Sequence, residues 1–591
     1  MSFNVSEGAA YAVLFSVLVF FTFMAFVSVD YLRCLPQAVR NCFQLKIHDH
    51  EILYSADYFL SARNSAGYFA IAMSFFASGM GAWVVYGTTE MGATPQLSWL
   101  AVLGYSSASA FPAILLCWLG PKVKGMSQDA FSTTDFGRQR YGRIMQVTIA
   151  IASVFYMFIF IVAELTSVSN VFALMTNQYQ EWYGILITVA LGAFTLFYTG
   201  LAGLPASIAT DKFQGLIMAV LVLLLTLAVT LEPSNRVNQE QFALASNWTA
   251  EGAMAAVTLI IAIASAEMFN QATWQRVWAA EDVSALRKGF LLGSFFVFLL
   301  MMFFGVMGML AYANDPEAYD SFEKWAYLAF FDLLEPLANG WHILALTLVA
   351  ALSASSIDSL QNGLMCIFST DLVRIGWHTK FIARILVICL NVPAIILASK
   401  KFDVISLFLV ADLACATCVL PTFLGLQTTD KKFLKAPTEL GAFLGCISGL
   451  VTVIVNGYVN DADGGLFGYF WLPNNAICSL CGSKTMVTFI ITPCISGIMT
   501  YVFSFLDLKF RGERARTPII PLPFDKNDHA VTDRHEDSQV DNDEGYEVDY
   551  EEDMIEHDGS VYASDFEANT TVFDQSTAIP EHSVYATENE A

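Results

Sequence analysis

The sequence predicts an all-α, polytopic membrane protein of about thirteen transmembrane helices. The first sign is repeated apolar runs of eighteen or more residues, in a chain that is 55% hydrophobic and only 14% charged. The second is where the charge lies. Residues 521–591 hold 21 Asp and Glu against Lys526 and Arg534, which is −19 of the formal −24 and leaves −5 for the other 520 residues. The acidity therefore belongs to a tail and not to the membrane body.

Spans are expected near 9–29, 67–89, 97–119, 144–173, 183–202, 207–231, 253–276, 289–312, 341–370, 381–398, 402–426, 437–457 and 486–507. Basic residues set their orientation. One set of alternating loops holds Arg33, Arg40, Lys46 and Arg63, then Lys122 to Arg143, and so on to the tail; the other holds few. That places the N-terminus outside and the C-terminus in the cytosol, in a surface membrane. The sequons at Asn4 and Asn247 fall on the outer side, while that at Asn569 lies in the tail. The first span has no basic flank before it and no clear cleavage site, so it is read as an anchor. Cysteines such as Cys117, Cys366, Cys389, Cys415 and Cys418 sit inside spans as small apolar residues. Cys478 and Cys481, spaced C-x-x-C in a late loop, suit a disulfide better than a zinc site.

The most informative stretch is ALSASSIDSLQNGLMCIFSTD, residues 351–371. At about 100° per residue, Ser355, Ser356, Asp358, Ser359 and Asn362 share one arc of roughly 160°. An acid at bilayer depth costs ~2.5–3.5 kcal/mol, so Asp358 must face protein, water or an ion. Serine alone reads as interhelical glue. Five polar groups on one arc, one of them an acid, read as a pathway or ion site, and paired hydroxyls suit an alkali cation.

Other stretches supply partners. Ala77-Ser-Gly79-Met80-Gly81-Ala82-Trp83 is poor in bulk and holds two glycines. It is either a close-packing groove or a break in the helix, and unwound backbone is tolerated at that depth only beside protein or a watery cavity. Carbonyls freed at Ala77 and Met80 would complete a cation shell with Ser355 and Ser356. Glu164 is either a structural acid or part of a wet path. The turn at 199–214 is Gly-rich, with Asp211 and Lys212 at its mouth where charges are solvated, and Thr210-Asp211 looks like a helix cap. Near 264–278 the apolar run breaks into Glu267, Asn270, Gln271, Trp274, Gln275, Arg276 and Trp278, the pattern of a second discontinuous helix. Glu267 and Gln271 fit a solute site there, whereas Arg276 and Trp278 fit an interfacial belt with a snorkelling arginine. Residues 313–340 form an outer loop, partly helical as a lid, and Asp412 is a candidate gate residue. Residues 511–516 are a basic strip for anionic lipid, and the acidic remainder is disordered, with room for cytosolic partners.

Taken together, ASGMGAW (77–83), TGLAGLPAS…TDKFQ (199–214), NQATWQRV (270–277) and SSIDS…FSTDL (355–372) resemble the sodium/solute symporter family. The resemblance covers roughly residues 55–430, and its motifs are specific for the superfamily and not for a substrate. It implies two inverted five-helix repeats plus peripheral helices. The partition is then an N-terminal region 1–66, a transport core 67–430, two peripheral helices in 431–510 and a cytosolic tail 511–591. It implies a sodium ion held by the carbonyls of Ala77 and Met80 with Ser355 and Ser356. It puts Asp211 on the cation's route, with Asp358 as a further acid there. Solute contacts are implied around Gly79–Trp83 and Asn270–Trp274. The S-S-I-D-S run looks most like the urea-type branch, which also takes in polyamine carriers; choline-type carriers are similar too.

Two departures bear on coupling. Gly79 stands where some relatives carry an acid, and Asp358 suits a second cation or a proton. Sodium is expected over proton coupling. The function read from all this is secondary active symport of a small polar solute such as urea or a polyamine. A transporter-shaped nutrient sensor that signals through its tail is the alternative. Nothing points to an enzyme or to nucleic acid: there is no nucleophile–base pair, no H-E-x-x-H and no P-loop.

Overall fold

The computed structural model describes residues 3, 5–29, 56–127, 130–321, 323–372, 379–400, 403–431, 434–460, 480 and 482–516. The Asn4 and Asn569 sequons, the Cys478/Cys481 pair and the acidic tail lie outside the described residues. Residues Met1–Asp525 cluster as one unit and Lys526–Ala591 as a second.

The longer helices are α1 (Glu7–Ser28), α2 (Tyr68–Gly79), α3 (Trp83–Ala93), α4 (Ser98–Met126), α5 (Arg143–Thr176), α6 (Glu181–Leu231) and α7 (Ala250–Glu267). They continue with α8 (Gln271–Ala279), α9 (Val283–Asn314), α10 (Asn339–Leu372), α11 (Thr379–Ala398), α12 (Val404–Phe423), α13 (Glu439–Asn460) and α14 (Ser483–Arg511). Among the described residues the β-structure is one isolated bridge, Ala66 to Ala280.

Ten of these helices are long and apolar enough to cross a membrane, or eleven if α2 and α3 count as one bent span. The tally falls short of thirteen for identifiable reasons. Helix α6 covers both expected spans 183–202 and 207–231 in 51 residues, and it kinks at Gly203 (φ 68°). Only glycine takes that conformation without strain, and a Cβ there would overlap the Phe59 carbonyl and ring. The described apolar part of α11, Arg384–Ala398, is short. The two interrupted spans, α2/α3 and α7/α8, each open a run of five apolar segments, which is the spacing that paired five-helix repeats require.

Burial explains the layout. The polar-faced α10 is the best-covered span, with 83% of its apolar window buried, against 44% for α1 and 33% for α13. A helix carrying Ser355, Ser356, Asp358 and Ser359 has to sit at the centre of the bundle, away from lipid. It packs on α6, α5, α1, α11 and α2. Helices that face outward carry the exposed apolar side chains, among them Trp118, Ile151, Leu223 and Val459. The peripheral pair α13 and α14 pack on each other and on α12.

One tie positions both interrupted spans. Ala66 N–H donates to the Ala279 carbonyl at 2.9 Å, Glu281 N–H donates to Ala66 at 3.0 Å, and Asn64 N–H donates to Trp278 at 3.1 Å. The Lys124 ammonium of α4 lies over this join, donating to Asn64 Oδ1 and the Ala280 carbonyl at 2.9 Å each. The start of α2 and the end of α8 are thus pinned together.

The outer loop folds back on the bundle through the short helices Pro316–Asp320 and Ala329–Leu334. Tyr327 and Phe331 pack against Tyr86 of α3, each with ring centroids 6.0 Å apart. In the strip after α14, Arg516 pairs with Asp430 at 2.7 Å and Arg511 pairs with Asp507.

Candidate functional site

The break between α2 and α3 turns the chain by 70°. The ladder of α2 closes with Met80 N–H on the Phe76 carbonyl at 3.2 Å, and Met80 itself is extended (φ −104°, ψ 101°). A helix that ends there leaves the carbonyls of its last residues, Ala77 to Met80, without helical partners. The glycines make the break possible, and at Gly81 the reason is steric: a Cβ would overlap the Glu164 carboxylate. Glu164, fully buried on α5, reaches into the break and accepts from Ala82 N–H at 2.9 Å and from Ser353 Oγ of α10 at 3.1 Å. The expected pair Ser355 and Ser356 splits its roles. Ser355 Oγ donates to Asp211 Oδ1 at 2.8 Å. Ser356 Oγ lies against Glu164 but makes no hydrogen bond of regular geometry.

Asp211 is not at a solvated mouth. It and Arg276 are wholly buried and meet at 2.9 Å. The turn is made by Gly203, so Asp211 lies inside the second arm of α6 and does not cap it. Its Oδ2 also accepts from Ser74 Oγ of α2 at 2.6 Å. Arg276 donates further to Ser74 Oγ and Ser359 Oγ at 2.8 Å each and to the Ala272 carbonyl at 2.6 Å. The interfacial reading of Arg276 is overturned, because the guanidinium is wholly buried and its four hydrogen bonds end on Asp211, Ser74, Ser359 and the Ala272 carbonyl, where a desolvated Asp211 needs a cation. Trp278 is buried as well. Asp358 continues the network on the far side of Ser359. It accepts from Tyr198 OH at 2.7 Å, Ser207 Oγ at 3.0 Å and Ser359 Oγ at 3.1 Å. One arginine therefore serves a cluster that contains two acids.

A cavity opens on the other side of the break. Gly79, Met80 and Trp83 line it, the first and last of these being candidate solute residues. Its aromatic walls are Trp83, Tyr105, Tyr156, Phe160 and Phe408. They pack as a box, with Trp83–Phe408 at 5.5 Å, Trp83–Tyr105 at 5.9 Å and Phe160–Phe408 at 5.1 Å between centroids. Two carboxylates complete the lining, Glu267 and Asp412. Glu267 accepts from Tyr156 OH at 2.8 Å and from Asn270 Nδ2 and Thr273 Oγ1 at 3.1 Å. Asp412 is 4% exposed and makes no hydrogen bond among the described residues. The Trp83 indole N–H is buried and unpartnered too.

Asn270, Gln271 and Trp274 stand at the α7/α8 break but do not line this cavity. Asn270 caps α8 through Ala272 N–H at 3.1 Å. Gln271 accepts from Thr133 N–H at 2.9 Å and donates to Ser153 Oγ at 2.9 Å, holding the short helix Thr133–Arg140 against the bundle. Trp274 donates to the Met268 carbonyl at 2.9 Å and stacks on Phe423 at 5.7 Å. Tyr105, Tyr156, Phe160 and Phe408 escaped sequence reasoning. Each looks like an ordinary aromatic of its own apolar span, and only packing puts them together. A neighbouring cavity toward the outer loop is lined by Tyr86, Glu90, Tyr327 and Asp403, and it shares Ile405 with the first.

This arrangement, two interrupted helices around a buried polar centre, is that of a membrane transporter. The chain belongs to the Sodium:solute symporter family, whose model matches residues 58–449. It is similar to the spermidine transporter DUR31 of Candida albicans, 27% identical over 437 residues, covering 70% of this chain and 81% of that one. Human sodium/myo-inositol cotransporter 2 is 26% identical over 354 residues, covering 53% of this chain and 51% of that one. A solved Na+-coupled sialic acid symporter, in a substrate-bound outward-open state, shares the fold with a TM-score of 0.62 at 15% identity. That match covers 84% of this chain and 98% of the other. The chain is thus a secondary active solute symporter, multi-pass in the membrane, and not an enzyme.

Proposed function

We propose that the chain couples entry of sodium to uptake of a small organic cation of the polyamine type. The observation that carries this reading is the aromatic box with two carboxylates. Ring faces and acids attract ammonium groups, and among the described residues no Lys, Arg or His lines the cavity to oppose them. Asp412, with no hydrogen bond among the described residues, suits a positively charged occupant better than urea's neutral amides. The likeness to a spermidine transporter supports the same choice. Urea was the other sequence-level candidate, and choline-type relatives the third.

For sodium, the residues fit. The carbonyls of Ala77 and Met80 lack helical partners, and Ser356 has a buried hydroxyl without a regular bond. Four neutral oxygens, two of them from Ser355 and Ser356, suit a hard monovalent cation. These oxygens would tie the broken helix to α10 and so favour the state in which the solute box is formed. Asp211, bonded to Ser355, would take up that hydroxyl when the ion leaves. The basic-residue pattern supports a surface membrane with the C-terminus in the cytosol, and Asn247 is exposed as a glycosylation site needs.

The test is uptake of labelled spermidine, putrescine, urea and choline into cells expressing the chain, with sodium or potassium outside. Sodium-dependent polyamine uptake is expected. Asp412→Asn should raise the polyamine KM by about tenfold or more, the scale of a charged hydrogen bond. Uptake of urea with no competition by polyamines would overturn the solute assignment. Uptake driven by a proton gradient and indifferent to sodium would overturn the ion. A tail-deleted chain that still accumulates solute would argue against the sensor reading.

A further inference from the structure

Glu164 differs from Asp211 and Asp358, the two other buried acids of the polar centre. Asp211 has Arg276 at 2.9 Å, and Asp358 has three hydroxyl donors. Glu164 is wholly buried, yet no basic side chain among the described residues pairs with it. Both its bonds, from Ala82 N–H and Ser353 Oγ, fall on Oε2, which leaves Oε1 buried and without a hydrogen bond. Ser356 Oγ, the second unpartnered buried oxygen here, lies against the same carboxylate. Glu164 Oε1 also fills the space where a side chain on Gly81 would begin, so it occupies the gap in the broken helix itself. An uncompensated buried charge costs several kcal/mol. A carboxylate oxygen and a hydroxyl that lean on each other and on no other group, beside the loose end of α2 and without a basic residue, are what a monovalent cation compensates.

We propose that Glu164 is a charged ligand of the coupling cation, reaching into the helix break from α5 and supplying the negative charge that α2 lacks at Gly79. This rests on the sodium reading above and adds a third element to it. The ion would then bind with net neutrality, linking α2, α5 and α10 at once. Gly81 has its role by geometry: it is the residue whose missing side chain admits the carboxylate.

The experiment uses the purified full chain in detergent, with thermal unfolding followed as sodium replaces potassium at constant ionic strength and without solute. Wild type should gain stability with sodium. Glu164→Gln keeps an acceptor for Ala82 N–H and should fold in potassium, but its sodium midpoint should rise by roughly tenfold or more, since ligand charge sets affinity at such sites. Gly81→Ala, which displaces the carboxylate without altering its charge, should shift the midpoint in the same direction. A Glu164→Gln midpoint equal to that of a sodium-responsive wild type would overturn this assignment and leave sodium coupling standing. A wild type that sodium neither stabilises nor drives would overturn both.

Discussion

The Arg276 guanidinium and the Asp211 carboxylate meet at 2.9 Å with neither side chain exposed, and both also hold Ser74 of the first interrupted span. Removing one member leaves the other charged and unmatched in a dry interior, at a cost of about 3–5 kcal/mol. Arg276→Ala should therefore fold poorly and unfold at much lower temperature in detergent. The pair Asp211→Asn with Arg276→Gln should be milder than the sum of its parts. A double-mutant cycle on unfolding midpoints measures this, and additivity would contradict the pairing.

Gln271→Ala should lower stability by about 1–3 kcal/mol, because Thr133 N–H and Ser153 Oγ lose a buried partner. Solute KM should stay near wild type, since Gln271 lies off the aromatic cavity. Thermal unfolding and uptake kinetics on the same variant separate the two roles, and a raised KM with unchanged stability would restore Gln271 as a solute ligand.

At the kink of α6, Gly203→Ala should cost about 1–3 kcal/mol in backbone strain alone, with the overlap on Phe59 added. The expected result is low yield and a depressed unfolding midpoint. A substitution as mild as Gly203→Ala in a freely bending linker would leave both unchanged.

The outer loop should loosen as pH rises. Burial pushes the Asp332 carboxyl up to about 6, and Tyr319 OH donates to its Oδ2 at 2.5 Å. Because the folded value lies above the ordinary one of about 4, the loop gains stability when Asp332 is protonated. That gain is complete below about 4 and disappears as pH climbs through about 6. Hydrogen exchange corrected for intrinsic rate should show better protection of Ala329–Leu334 at pH 5 than at pH 7. In Asp332→Asn the difference should vanish.

The fold was legible because the signals were local. Apolar runs set the spans, and the lack of bulk at Ala77–Trp83 marked either a packing groove or a break. Ser355, Ser356 and Asp358 declared a buried face through helical phase. Where partners are distant in the chain, the same signals misled. Arg276 beside Trp274 and Trp278 has the composition of a membrane interface, and nothing near it shows that Asp211, 65 residues earlier, awaits it. The aromatic cavity was illegible for the same reason. Trp83, Tyr156, Glu267 and Asp412 come from four helices, and only Glu267 stood out as polar in a broken stretch. Gln271 was misplaced because an amide at a break looks the same whether it faces a solute or a neighbouring backbone.

Lys124 and the short backbone ladder at Ala66 staple the two discontinuous helices end to end on one face of the bundle. Their halves on that face must travel as a single lever. Among the described residues, no hydrogen bond joins the opposite halves, α3 and α7. Access on the stapled face can come only by swinging the joined pair as a body or by first drawing the lysine off its carbonyls.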